Sequence, residues 1–270
     1  MAKAQSVSEE HKVYLRKIRQ RKILILSTQV FILAAFLALW ELLGQLKVID
    51  PFITSQPSRI VRTLGNMYRE GQLFYHTWVT CYETVIGFIL GTIVGTIIAI
   101  VLWWSEFLSK VTEPYLVVLN SLPKIALGPI FIVWIGAGPA SIIVIALTIS
   151  LIVTVLEVLN GFLAVDQDKI KLVRTFGANR LQVLTKVVLP SSYPVIINAL
   201  KINVGLSWVG VIVGEFLVSK AGLGYLIVYG GQVFQLDIVM TSVLILSVAA
   251  ALMYQGVVYL EKLLLKSGRY

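Results

Sequence analysis

The chain is 270 residues long, 57% hydrophobic and only 14% charged, with a mean hydropathy of +0.86. That balance lies outside the range of soluble domains. Long apolar runs carry the excess, which points to a helical integral membrane protein and excludes an outer-membrane barrel built on short alternating strands. The net charge of +9 does not indicate a nucleic-acid partner, because basic residues in a membrane protein mostly mark loops kept in the cytoplasm.

A spanning helix needs about 20 mostly apolar residues. Taken in chain order, six segments meet that length, at 23–45, 79–103, 115–136, 139–160, 193–217 and 237–261. The expected fold is an all-α membrane bundle of six transmembrane helices. Residues 1–22 form a basic cytoplasmic segment, 23–262 a single transmembrane domain and 263–270 a short cytoplasmic tail. The first span follows "HKVYLRKIRQRK" and is read as an anchor, since "WELLGQLKVIDPF" offers no small-residue cleavage pattern. With the N-terminus inside, segments 1–22, 104–114, 161–192 and 262–270 hold 16 of the 23 Lys and Arg residues, which places both termini in the cytoplasm.

The outer loop 46–78 carries Arg59, Arg62 and Arg69 against this trend. Within it, "PSRIVRTLGNMYREG" reads as a short amphipathic helix on the outer surface, opened by Pro57-Ser58 and stopped near Gly71. In the second span Gly87, Gly91 and Gly95 fall four apart on one face, and Gly210 and Gly214 repeat the spacing in the fifth. Such small-xxx-small patterns let another backbone approach closely without naming which. The single cysteine, Cys81, forms no internal disulfide and reads as packing.

The cytoplasmic loop 161–192 is too patterned to be a tether. "DQDKIKLVRTFG" has Leu172, Val173 and Phe176 on a common face, acids near its start, and Gly177 where a left-handed cap would end a helix. Asn179 then caps a second helix, with Gln182 completing a capping box. Leu181, Leu184 and Val188 supply its apolar stripe, and Pro190 closes it. Two readings fit that pattern: a docking knob, or a connector lying on the membrane surface.

The run of glycine, nine residues, an aliphatic, any residue and Leu-Pro in "GANRLQVLTKVVLP" resembles the cytoplasmic signature loop of permease subunits of binding-protein-dependent ABC importers. "LPKIALGPIFIVWIGAG", "LNGFLAVDQD", "VRTFGANR" and "VGEFLVSKAGLGYLI" are similar to the nitrate/sulfonate/taurine branch, so the resemblance covers nearly the whole chain. It implies that residues 166–190 form coupling helices seated in a groove of a separate ATPase. Gly177 would be the turn between them, Leu189-Pro190 their end, and Arg174, Thr175, Ala178 and Leu181 would lie near the ATPase contact. The family pattern usually opens with Glu-Ala-Ala, where this chain has Lys171-Leu172-Val173, which reverses a charge presented to the ATPase.

The resemblance further implies a solute-binding protein outside, a second permease copy in a homodimer, and ATP and magnesium bound by the ATPase, with no cofactor in this chain. The implied solutes are small and polar or anionic: nitrate, sulfonates, taurine, bicarbonate or thiamine precursors. The residues agree that no engine is present. There is no Gly-x4-Gly-Lys-Ser/Thr phosphate loop. "GGQ" at 230–232 matches a fragment of the ATPase signature by coincidence, in an outer segment. His11 and His76 stand far apart without ligand-spaced neighbours, so neither a metal site nor catalysis is expected.

Ionisable residues inside spans are costly and therefore functional candidates. Here they are Glu83, Lys124, Glu157, Lys201 and Glu215. Glu157 and Lys201 lie where they can snorkel to the cytoplasmic interface. Glu83, where the related families usually carry a basic residue, is either wet or paired with an outer-loop Arg. Lys124 sits between Pro123 and Pro129, which remove backbone donors and should kink or open the third span. It either faces the translocation pathway or neutralises freed carbonyls at the bend. Glu215, ahead of "AGLG", holds the outer gate or the packing of the fifth span.

The sequence thus reads as the permease subunit of an ABC importer, non-catalytic itself, working by alternating access. An ion-coupled secondary transporter acting alone is the alternative, and it would require a relay of membrane carboxylates and inverted repeats. A membrane scaffold that recruits a partner through the loop is the third reading.

Overall fold

A computed structural model describes residues 9–267, and side chains over 13–263; expectations that fall on residues 1–8, on the His11 side chain or on the end of the tail lie outside the described residues. The chain divides into two compact units, Met1–Arg62 and Thr63–Tyr270. Every described element is helical.

In the first unit, α1 (Glu9–Gln45) is one continuous helix, so the described part of the basic stretch runs without a break into the first span. A short helix, α2 (Pro51–Thr54), follows, with the Asp50 carboxylate accepting from the Phe52 amide at 2.9 Å. The Ser58 amide donates back to Glu41 Oε2 at 2.9 Å. That bond supplies a carboxylate to the start of α3 (Pro57–Arg69), the amphipathic helix expected there, where the exposed amides favour negative charge. Gly71, at φ +73°, follows it as expected.

The second unit is organised around α7 (Pro139–Leu163), which is flanked by α4 (Gln72–Trp104) and α10 (Leu189–Val218). The small residues explain the order. A Cβ at Gly87, Gly91 or Gly95 of α4 would press on Ala146, Ser150 or Thr154 of α7, each step advancing by four residues in both helices. The two helices therefore run parallel. On the other side of Ala146, Gly210 meets that residue and Gly214 meets Ile142, so α10 runs antiparallel. Ala146 is wholly buried between them. Asn203 of α10 donates to Thr92 of α4 at 2.8 Å, and Ser192 to the Gly161 carbonyl at 3.1 Å, adding cross-helix hydrogen bonds. Gly210→Ala places its new methyl against the Ala146 backbone, which cannot yield as a side chain would. The expected cost is about 2 kcal/mol, read as a lower melting temperature in detergent, with Gly205→Ala, in open space on the same helix, as the near-neutral control.

Five helical segments are long and apolar enough to span: Val13–Gln45, Gln72–Trp104, Pro139–Leu163, Arg180–Val218 and Leu236–Leu263. The last belongs to α12 (Leu236–Ser267). The sixth is broken. Where the sequence predicts a span at 115–136, α5 (Glu106–Ser121) meets a turn at Lys124–Leu127 and then α6 (Gly128–Ile135), with an 85° bend. Leu122 lies before Pro123 and takes ψ 138°, because the proline ring disfavours the helical conformation of the preceding residue. Pro129 then sits in the first turn of α6, where its missing N–H costs nothing.

Two further departures follow from local chemistry. The expected stop at Pro190 is absent: α9 (Arg180–Val183) passes through a π-turn at Leu184–Val188 directly into α10, which starts at Leu189. The Leu189 amide reaches the Leu184 carbonyl, five residues back, so the helix is widened just ahead of the ring instead of being ended by it. The segment between the last two spans also contains a helix, α11 (Leu223–Gln232), whose Leu223 and Leu226 are buried in a cluster with Trp208 and Leu246. "GGQ" is its C-terminal end.

Candidate functional site

The polar loop after α7 folds into a two-helix elbow. α8 (Gln167–Thr175) begins at Asp166, whose carboxylate accepts from the Asp168 amide at 2.9 Å. Gly177 adopts φ +81°. Its amide donates to the Arg174 carbonyl at 2.9 Å, and the Ala178 amide to the Val173 carbonyl at 3.1 Å, the paired closure that ends a helix on a left-handed residue. α9 starts at once. Asn179 Oδ1 accepts from the Gln182 amide at 2.9 Å, while Gln182 Oε1 accepts from the Asn179 amide at 2.8 Å. The capping box predicted from sequence is thus formed.

The elbow is anchored from beneath. Ile170, Val183, Leu184 and Val188 are buried with Leu159 and Phe162 of α7, and Ala178 and Leu189 pack against that cluster. Arg180 Nη1 donates to the Trp104 carbonyl at 2.8 Å, tying the second elbow helix to the end of α4. The outer surface is open: Arg174, Thr175, Gly177, Leu181 and Pro190 are exposed. Phe176 is 82% exposed, beside exposed Leu172. So the apolar face expected for Leu172, Val173 and Phe176 is split, Val173 turned inward and the other two presented outward. Leu181 likewise leaves the stripe that Leu184 and Val188 bury. Lys171, at the position of the reversed charge, pairs with Asp168 on its own helix at 3.1 Å.

Among the candidate pathway residues, Lys124 lies at the broken turn, its Nζ donating to the Asn120 carbonyl at 3.0 Å. It thus caps carbonyls left free where α5 ends. Pro123 and Pro129 bracket the break. Lys201 forms an ion pair with Glu261 of α12 at 2.7 Å, with both side chains largely enclosed.

Glu215 lies elsewhere, at the end of the helix bundle opposite the elbow. Its carboxylate accepts from the Gly224 amide at 2.5 Å and the Tyr225 amide at 3.3 Å, capping the N-terminus of α11. Around it, the Gly222 amide donates to His76 Nδ1 at 3.0 Å and the Leu223 amide to Thr80 Oγ1 at 2.7 Å, which clasps the turn to α4. Glu83 is 1% exposed and beside Glu215, so the structure supports neither a wet Glu83 nor an arginine partner. For His76 and Thr80 in this role, the signal available in the sequence was polar residues four apart at the start of a span.

This architecture recurs in known transport proteins. A chain of the MetNI methionine ABC transporter, solved in inward-facing conformations, matches with a TM-score of 0.54 at 21% identity, over 67% of this chain and 94% of that one. A Bacillus subtilis (strain 168) protein assigned to aliphatic sulfonates transport as the permease SsuC is 28% identical over 233 residues, spanning 86% of this chain and 84% of its own. The taurine transport system permease protein TauC of Escherichia coli (strain K12) is 23% identical over 266 residues, covering 95% and 96%. The family model described as "Binding-protein-dependent transport system inner membrane component" matches residues 87–266, which include α7, the elbow, α10 and α11 with Glu215 at its cap. The chain therefore belongs to that family, the non-catalytic, multi-pass permease subunits of ABC importers that work with a separate ATPase.

Proposed function

We propose that residues 166–190 are the coupling device through which the ATPase drives this permease, and that the transported solute is small and polar or anionic. The observation that carries the reading is the construction of the elbow. It is capped at both helices, anchored on α7 and α4, and yet presents Leu172, Phe176 and Leu181 outward, uncovered by any of the described residues. Exposed apolar residues on a preorganised support are what a docking contact requires. Because α9 continues into α10, force applied at the elbow reaches the whole Arg180–Val218 run. A groove of about 600 Å³ beside it, lined by Trp103, Lys110, Gln167, Arg174 and Arg180, adds polar relief to the contact.

In this reading both termini and the elbow face the cytoplasm in the cell membrane. ATP and magnesium are held by the ATPase, a solute-binding protein delivers cargo to the opposite face, and two permease copies enclose the path. Arg174, Thr175, Gly177, Ala178 and Leu181 form the contact region, with Leu189-Pro190 behind it. The sulfonate and taurine assignments of the relatives support the solute class.

The test is reconstitution in lipid with the candidate ATPase and binding protein, leaving out each in turn. Uptake should vanish without the ATPase, and uptake that persists overturns the proposal in favour of an ion-coupled carrier. Lys124→Ala is expected to lower uptake several-fold while ATPase binding is unchanged, as for a charge facing the path. Full uptake would leave Lys124 as the cap of the broken turn.

A further inference from the structure

The mechanism above makes no use of Glu83, yet it is among the most enclosed side chains of the second unit. It lies one turn along α4 from Thr80, which holds the Leu223 amide next to the Gly224 amide that Glu215 accepts, so the two carboxyls are enclosed at the same clasp. Two carboxylates have no proton to share between them, so a hydrogen bond across the clasp requires that one of them be an acid. Their surroundings require it too. Both residues are 1% exposed, and Glu83 Oε2 and Glu215 Oε1 are buried without any partner. Among the described residues, neither carboxyl has an Arg or Lys ion-pair partner. Lys220, the basic residue closest in sequence to Glu215, is exposed. Two anions enclosed together without a counter-charge repel strongly.

The amides divide the roles. Gly224 and Tyr225 both donate to Glu215 Oε2, and donors of that kind favour the anion. Glu83 receives no backbone donor and is therefore the acid, giving its proton to Glu215. We propose that Glu83 and Glu215 bind one proton between them, and that this proton fastens the α10–α11 turn to α4. Losing it would leave two anions facing each other across the clasp and loosen α11 from its support.

The other titratable groups around the pair are few. α4 contributes His76 and Cys81, α11 contributes Tyr225, whose ring stacks on His76 at 6.0 Å, and α7 meets this region with apolar Ile142 beside Gly214. His76 accepts through Nδ1 from Gly222, so it is neutral with its own proton on Nε2. It therefore supplies no counter-charge in this arrangement.

The inference concerns the permease alone and does not depend on ATPase coupling. Unfolding frees both carboxyls to ionise in water, so unfolding releases the proton and is favoured as pH rises. The unfolding equilibrium should shift by up to about tenfold per pH unit between the ordinary carboxyl range and the pH at which the folded pair gives up its proton, and flatten above it. In Glu83→Gln the amide still donates to Glu215 but has no proton to lose, so this slope should disappear while the clasp persists. The experiment is thermal melting of both proteins in lipid nanodiscs across roughly pH 6 to 10, on a His76→Gln background as well as wild type. An infrared spectrum at neutral pH should show the carbonyl band of a protonated carboxyl that Glu83→Gln lacks. Parallel slopes in the two proteins, or absence of that band in wild type, overturns the proposal. So does stabilisation of wild type by sodium at constant pH, which would assign the pair to a metal cation instead.

Discussion

Gly177→Pro is expected to abolish ATPase binding while leaving membrane insertion intact. The turn needs φ +81°, and proline holds φ near −65°. The ring also removes the amide that donates to the Arg174 carbonyl at 2.9 Å. Together these cost about 3 kcal/mol or more, enough to lower affinity on the order of a hundredfold if docking requires the closed elbow. Gly177→Ala separates the causes, because nothing lies within 4 Å of the added methyl and only the left-handed backbone is penalised. That variant should lose about 1 kcal/mol, and Gly177→Asn less still. Copurification and titration with the ATPase provide the measurement. Normal binding by Gly177→Pro would remove the elbow from the contact.

Gly222→Ala should be the most destabilising single methyl addition in the second unit. The residue sits at φ +109°, and its new Cβ would fall on the Glu215 carboxyl that caps α11. Either the cap moves and leaves the Gly224 and Tyr225 amides without an acceptor, or the turn shifts and Gly222 loses His76. The expected loss is about 3 kcal/mol, read as a melting temperature lower on the order of 10 °C. Gly71→Ala is the matched control, since its φ of +73° is also left-handed but the space around it is empty. Equal effects at the two positions would show that backbone conformation alone, and not the carboxylate clasp, decides stability here.

Much of the elbow is written in short-range chemistry. A glycine at the helix end, Asn179 followed by Gln182, and Asp166 ahead of the helix each specify a cap within a few residues, and each forms as its spacing dictates. Pro190 shows the limit of such rules. Proline forbids one geometry of the preceding turn, but a helix can widen instead of stopping, and the packing of Leu184 and Val188 into the α7 core favours the widened course. The third span gave the opposite result. Pro123 acted on Leu122 strongly enough to turn an expected kink into an 85° break.

The apolar lengths, the short amphipathic helix, the caps and the four-residue spacing of the small side chains can all be read along the chain. All of these depend on neighbours within a turn or two, or on the thickness of a membrane. Long-range packing was needed to show that Gly87 and Gly210 both face Ala146 of α7, that Lys201 finds Glu261, and that Glu83 is enclosed at the same clasp as another acid. Periodicity states which face of a helix is small or polar but carries no address for its partner. With few directional bonds between apolar helices, the address is set by the mutual fit of several faces at once.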